Sequence, residues 1–161
     1  MTEIFIDTCV FVSFLSKDER DENYAKAEKV FDLIERGEVK PVTSDFVINE
    51  VVFKIMIFEL FEIGAKNVHS AKKIFTKGAN LKGSMKTFTF FEELLKYDLA
   101  ILNFTLTPEN LKLWKRIIED YRLFPTDALI AATCKHHGIK KIATFDADFE
   151  RVDFLEVVAP E

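Results

Sequence analysis

Short apolar runs alternating with helix-patterned segments constrain this chain more than any other feature. Residues 2–6, 39–43, 98–104, 141–145 and 154–158 read as strands. Helical patterns fill most of the intervals: Thr8 to about Leu15, Asp21 to Arg36, Phe46 to about Ile63, a basic stretch after it, the later half of 84–97, Thr107 to Tyr121, and Pro125 to His137. Ala27, Val30, Phe31 and Ile34 give one of these helices its apolar stripe, and Gly37 and Gly138 stand where helices stop. Thr107-Pro108 supplies a cap and a first-turn proline. Such alternation predicts an α/β domain with a parallel, helix-covered sheet. In open sheets of this kind, ligands bind outside the carboxyl ends of the strands.

Acidic residues stand at those ends. Asp7 follows Ile4-Phe5-Ile6, and Asp146 follows Ile142-Ala143-Thr144. Asp127 opens the helix after Pro125-Thr126, and Glu50 lies within an apolar helix. Each has a structural explanation: Asp7 as a helix cap, Glu50 as the i,i+4 partner of Lys54, Asp127 as a charge in a first turn, and Asp146 with Asp148 as a polar turn. Together they form a set of hard oxygen donors suited to Mg²⁺ or Mn²⁺. Hydrolysis of a phosphate ester at a metal is the chemistry such a cleft favours.

Composition narrows the field. The 161 residues are 48% hydrophobic, with four prolines and five glycines, which fits one folded domain over 1–161. No apolar run reaches the length of a membrane span, and the N-terminus has no basic lead-in, so a cytoplasmic location is expected. Cys9 and Cys134 fit reduced packing residues, and no Cys/His group has zinc spacing. The net charge is -5, wrong for a protein that coats nucleic acid. Yet no acidic residue occurs between Glu62 and Glu92, a stretch that carries Lys66, His69, Lys72, Lys73, Lys77, Lys82 and Lys86. His69, Lys72, Lys73 and Lys77 share one helical face, opposite Val68, Ala71, Phe75 and Ala79. That face is either a solvated surface or a phosphate-binding rim beside the acids.

The blocks Ile6-Asp7-Thr8-Cys9-Val10-Phe11, Thr43-Ser44 with Glu50, Pro125 to Thr133, and Ala143 to Phe149 resemble, in order and from end to end, the PIN-domain nucleases, above all the small VapC-like ribonuclease toxins. The resemblance implies a three-layer fold, with a short twisted parallel sheet between helices. It implies a metal-dependent endoribonuclease with Asp7, Glu50, Asp127 and Asp146 as the catalytic acids. Asp7, Asp127 and Asp146 would be metal ligands for Mg²⁺, with Mn²⁺ able to substitute. Thr144 and Asp148 would support them. Lys54, Lys72, Lys73 and Lys77 are candidate contacts to RNA. Cys9 departs from the family's frequent Ser or Asn, so a supporting hydrogen bond there should be weaker. A homodimer and an antitoxin partner are also implied, and Phe11, Phe14, Leu15, Phe53, Ile57, Phe58 and Phe61 are read as exposed apolar residues that would serve them. The alternative is a PIN-like RNA- or protein-binding module without catalysis. A haloacid-dehalogenase-like phosphatase is disfavoured, because Cys9 stands where that class needs a second aspartate.

Overall fold

A computed structural model describes residues 1–158. Its elements are β1 (Thr2–Ile6), α1 (Thr8–Ser16), α2 (Glu22–Glu35), β2 (Val39–Ser44), α3 (Asp45–Glu62), α4 (Val68–Thr76), α5 (Lys82–Lys96), β3 (Ala100–Leu102), α6 (Pro108–Tyr121), α7 (Pro125–His137), β4 (Lys141–Ala143), a 3₁₀ turn (Ala147–Arg151) and β5 (Glu156–Val158). The strands form one sheet in the order β3-β2-β1-β4-β5, with every pairing parallel. The chain moves outward from β1 to β2 and β3, then returns to the other side of β1 for β4 and β5. Right-handed crossovers therefore place α1–α5 on one face and α6 and α7 on the other. The direction of winding reverses between β1 and β4, and their carboxyl ends open the crevice where such sheets bind ligands.

The core explains the chain's wealth of phenylalanine. Phe5, Ile6, Val42 and Ile142 fill the centre of the sheet. Phe11 packs on Phe31 and Phe91 with ring centroids 5.8 and 5.2 Å apart, and Phe14 lies 4.3 Å from Phe31. Phe90 closes the cluster edge-on against Phe31. The expectation that Phe11 belongs to an exposed apolar surface is thus corrected. It is fully buried, and Phe14 and Leu15 are half-buried against the same core. Phe53, Phe58 and Phe61 are exposed as expected. On the basic helix α4, Ala71 is buried and Ile74 packs beside it, whereas Val68 and Phe75 reach solvent.

Several boundaries differ from the sequence reading, among them β5, which covers Glu156–Val158 instead of 154–158. α5 starts at Lys82, earlier than its pattern suggests, because its cap comes from another helix. The Glu59 carboxylate of α3 accepts from Ser84 N at 2.7 Å and from the Ser84 hydroxyl. Gly83 leaves room for this approach, since a Cβ there would lie 3.2 Å from Glu59 Oε1. β3 covers only Ala100–Leu102 instead of 98–104. Asp98 has a left-handed φ of 61°, and β2 ends at Ser44, which leaves nothing for the chain beyond Leu102 to pair with. β4 is short for the same reason: β1 stops at Ile6, where Asp7 becomes the cap of α1.

Candidate active site

β1 delivers Asp7 to the crevice. Its backbone N–H donates to Ala143 O on β4 at 3.1 Å, and its side chain caps α1 by accepting from Thr8 N at 2.7 Å. The other carboxylate oxygen accepts from the Thr144 hydroxyl at 2.7 Å. Thr144 Oγ1 in turn accepts from Asp146 N at 3.1 Å, so one hydroxyl joins the acids at the ends of β1 and β4. Asp146 caps the 3₁₀ turn by accepting from Asp148 N. Capping and membership of the site coincide, because the end of a strand and the start of the next turn are the same place.

Cys9 stands beside this network. Its thiol reaches Asp7 Oδ2 at 3.5 Å and accepts from Phe145 N at 3.4 Å. The contact expected to be weaker is present at sulfur distances. Burial, with the nearby Asp7 charge, pushes the thiol up to about 12, so Cys9 stays protonated at neutral pH.

α3 brings Glu50. Thr8 Oγ1 donates to Glu50 Oε2 at 2.9 Å, and Lys54 Nζ lies 3.3 Å from Oε1. Glu50 keeps its i,i+4 ion pair and also lines the acidic cavity, since the apolar helix passes the crevice there. Thr8 was not singled out from the sequence. Its only signal is its position between Asp7 and the first turn of α1.

α7 contributes Asp127 from its first turn, held by Pro125 at the helix start. Trp114 Nε1 donates to Pro125 O at 2.9 Å and fixes that turn to α6. A single cavity of about 240 Å³ is lined by Asp7, Thr8, Cys9, Glu50, Lys54, Asp127, Phe145 and Asp146. A larger one of about 610 Å³ lies at the amino end of the sheet, around Val39, Lys96 and Asp98. It lacks a set of converging carboxylates, so volume does not mark the site.

The electrostatics follow from crowding. Burial raises the pKa of Asp7 above the ordinary carboxylate value, against the lowering effect of its hydrogen bonds. Asp127 is pushed up to about 6, first by desolvation and then by the charges of Asp7, Asp146, Asp148 and Glu50. Oxygens of Asp127, Asp146 and Asp148 all lie within 4.8 Å of one another. An all-oxygen set that repels itself when charged fits a hard divalent cation. Asp148 thus joins Asp127 and Asp146 more closely than its supporting role suggests, while also pairing with Arg151 at 2.7 Å. Lys72 and Lys73 lie on α4 and Lys77 caps its carboxyl end; α4 packs on the far half of α3 around Leu60, and none of the three lysines lines the acidic cavity.

A parallel α/β domain with carboxylates gathered at its topological switch point offers a site suited to a hard divalent cation. The sequence pattern of the PIN domain matches residues 4–155, and the chain belongs to the PIN-domain family. It is 32% identical over 158 residues to Ribonuclease VapC6 of Methanocaldococcus jannaschii, covering 98% of this chain and 97% of that protein. It is equally identical to Ribonuclease VapC2 of the same organism, covering 97% of this chain and 93% of that one. Among solved structures, Mycobacterium tuberculosis VapC20, described as a Sarcin-Ricin loop cleaving toxin, superposes with a TM-score of 0.61 at 17% identity, covering 98% of this chain and 99% of that one. VapBC2 from Rickettsia felis, bound to a DNA fragment from its promoter, superposes with a TM-score of 0.60 at 14% identity and covers 98% of each chain. At these identities the structural likeness speaks for the fold. Among the described residues, no helix is long and apolar enough to cross a membrane.

Proposed function

We propose that this protein is an endoribonuclease that hydrolyses RNA phosphodiester bonds with Mg²⁺, for which Mn²⁺ can substitute, and that it is the toxin of a toxin–antitoxin pair. The observation that carries the reading is the convergence of Asp7, Glu50, Asp127 and Asp146 on one cavity. Two relatives that align over nearly the whole chain are named as ribonucleases, which supports RNA as the substrate.

Asp127, Asp146 and Asp7 would hold the ion, and Asp148, whose carboxylate lies within 4.8 Å of those of Asp127 and Asp146, would support them. When bound, the divalent ion supplies Lewis acidity at the scissile phosphate. Thr144 fixes the spacing between Asp7 and Asp146 through its two hydrogen bonds. Glu50, oriented by Thr8 and Lys54, would accept a proton from the attacking water at its carboxylate. Lys54 faces the same cavity and contacts a phosphate of the substrate, and Lys72, Lys73 and Lys77 draw the more distant strand electrostatically. The exposed Phe53, Phe58 and Phe61 of α3 provide apolar surface for a homodimer and for an antitoxin.

The test is cleavage of a panel of structured and single-stranded RNAs in Mg²⁺ and in Mn²⁺, with EDTA as the blank. Cutting that needs metal and disappears in Asp127→Asn supports the reading. Equal cutting by both proteins, or none by the wild type in either metal, overturns it.

A further inference from the structure

The acidic cavity does not end at Asp146. On the far side of Phe145 and Asp146 a second cavity of about 170 Å³ shares both residues as a wall. Its other sides are Asn23 and Lys26 from α2, Glu150 from the 3₁₀ turn, and Val157 from β5. These elements come from opposite ends of the chain and meet here. Among the described residues, no ion pair or side-chain hydrogen bond engages Lys26, Glu150 or the amide of Asn23. The adjacent Arg151 is committed to Asp148 and to the carbonyls of Tyr121 and Arg122.

The chemistry of this lining decides between ligands. A phosphate would meet two carboxylates, Asp146 and Glu150, against one ammonium, so a bare anion is disfavoured. A neutral nucleobase fits better. It can lie against the half-buried Phe145 ring and Val157 while its edge meets a cation, a carboxylate and an amide. Single-stranded RNA is read in this way, by stacking on aromatic side chains and by hydrogen bonds to the base edge. Guanine matches the set best. Its adjacent N1–H and N2–H donors suit the two oxygens of a carboxylate, and its O6 accepts from an ammonium.

We propose that this second cavity is a base-recognition subsite, which seats a nucleotide close to the scissile phosphate and favours guanine there through Glu150 and Lys26. The proposal rests on the ribonuclease reading and adds to it the residues that set base preference. Asn23 lends a donor and acceptor from α2, and Phe145 and Asp146 form the wall shared with the acidic cavity, so that the base is read on one side and the phosphate cut on the other.

The experiment uses the full chain with an RNA library randomised at three positions on each side of a central segment, and the cut ends are sequenced. Wild-type protein should enrich guanine at one fixed position relative to the cut. Glu150→Gln and Lys26→Ala should each reduce that enrichment on the order of tenfold, while metal-dependent cutting persists. Lys40→Ala, which alters a lysine paired with Glu3 at the opposite end of the sheet, controls for loss of a positive charge and should leave the preference unchanged. Metal-dependent cutting with no base preference, or a preference that survives both subsite variants, overturns the subsite and leaves the ribonuclease reading standing. No cutting by the wild type overturns both.

Discussion

Replacing Asp127 with Asn removes one charge from a crowded set of carboxylates, and it should make the metal-free protein more stable. The Asp127 pKa rises from 3.8 in an unfolded chain to about 6 in the folded one. Folding therefore takes up a proton between those values. The charged form opposes folding above about pH 6, and below about pH 4 the penalty is absent. The full difference corresponds to about 3 kcal/mol, at about 1.4 kcal/mol per pH unit. Asp127 is only half-buried, and screening by water and salt reduces this to roughly 1.5 kcal/mol. For a chain of this size that is about 3–6 °C in Tm. The assay is thermal unfolding followed by circular dichroism, with EDTA present, at pH 7.5 and at pH 4. Asp127→Asn should melt higher than wild type at pH 7.5, with the gap closing at pH 4. A variant that melts lower at pH 7.5, or by an equal increment at both values, would refute the claim that charge repulsion dominates the site.

Mn²⁺ should raise the Tm of the wild type, by an amount equivalent to about 2.7 kcal/mol at a hundredfold excess over Kd, and should raise that of Asp127→Asn much less. Melts at a series of Mn²⁺ concentrations check this. Thr144→Val keeps the shape of a buried side chain but strips the hydroxyl between Asp7 and Asp146. It should lower stability by about 1–3 kcal/mol and reduce kcat with little change in KM, measured by urea titration and RNA cleavage. Phe11→Ala should cost about 3–5 kcal/mol, because it empties the centre of the aromatic cluster, and an unchanged urea midpoint would contradict that placement. Cys9 and Cys134, both raised well above the ordinary thiol range by burial, should react slowly with a thiol reagent at pH 8 until the protein is unfolded.

The elements with local signals were legible in the sequence. α2 carries an apolar stripe and its own cap at Asp21, and α6 carries Thr107-Pro108. Both lie where the pattern puts them, within a residue. What failed depends on distant residues. The start of α5 needs Glu59 of α3, and the lengths of β3 and β4 are fixed by where β2 and β1 stop. The same distinction holds for the site. Asp7 and Asp146 were visible because a carboxylate at a strand end in an α/β protein points to one place. Glu50 was ambiguous because its ion pair with Lys54 is what any surface helix would show. Thr8 and the close approach of Asp148 emerged only from the tertiary structure, since neither has a pattern of its own. The burial of Phe11 was missed because three phenylalanines on other helices provide its cover.

Metal-dependent hydrolysis at this cleft requires the carboxylates at the switch point to hold an ion. A crystal grown with Mn²⁺ and measured for anomalous scattering tests this directly. A peak should lie between Asp127 and Asp146, with their oxygens at about 2.1 Å as for a small octahedral cation, and it should be lost in Asp127→Asn. Saturating Mn²⁺ with no peak in that cavity, or one that persists unchanged in the variant, would contradict the assignment of these acids to a metal centre.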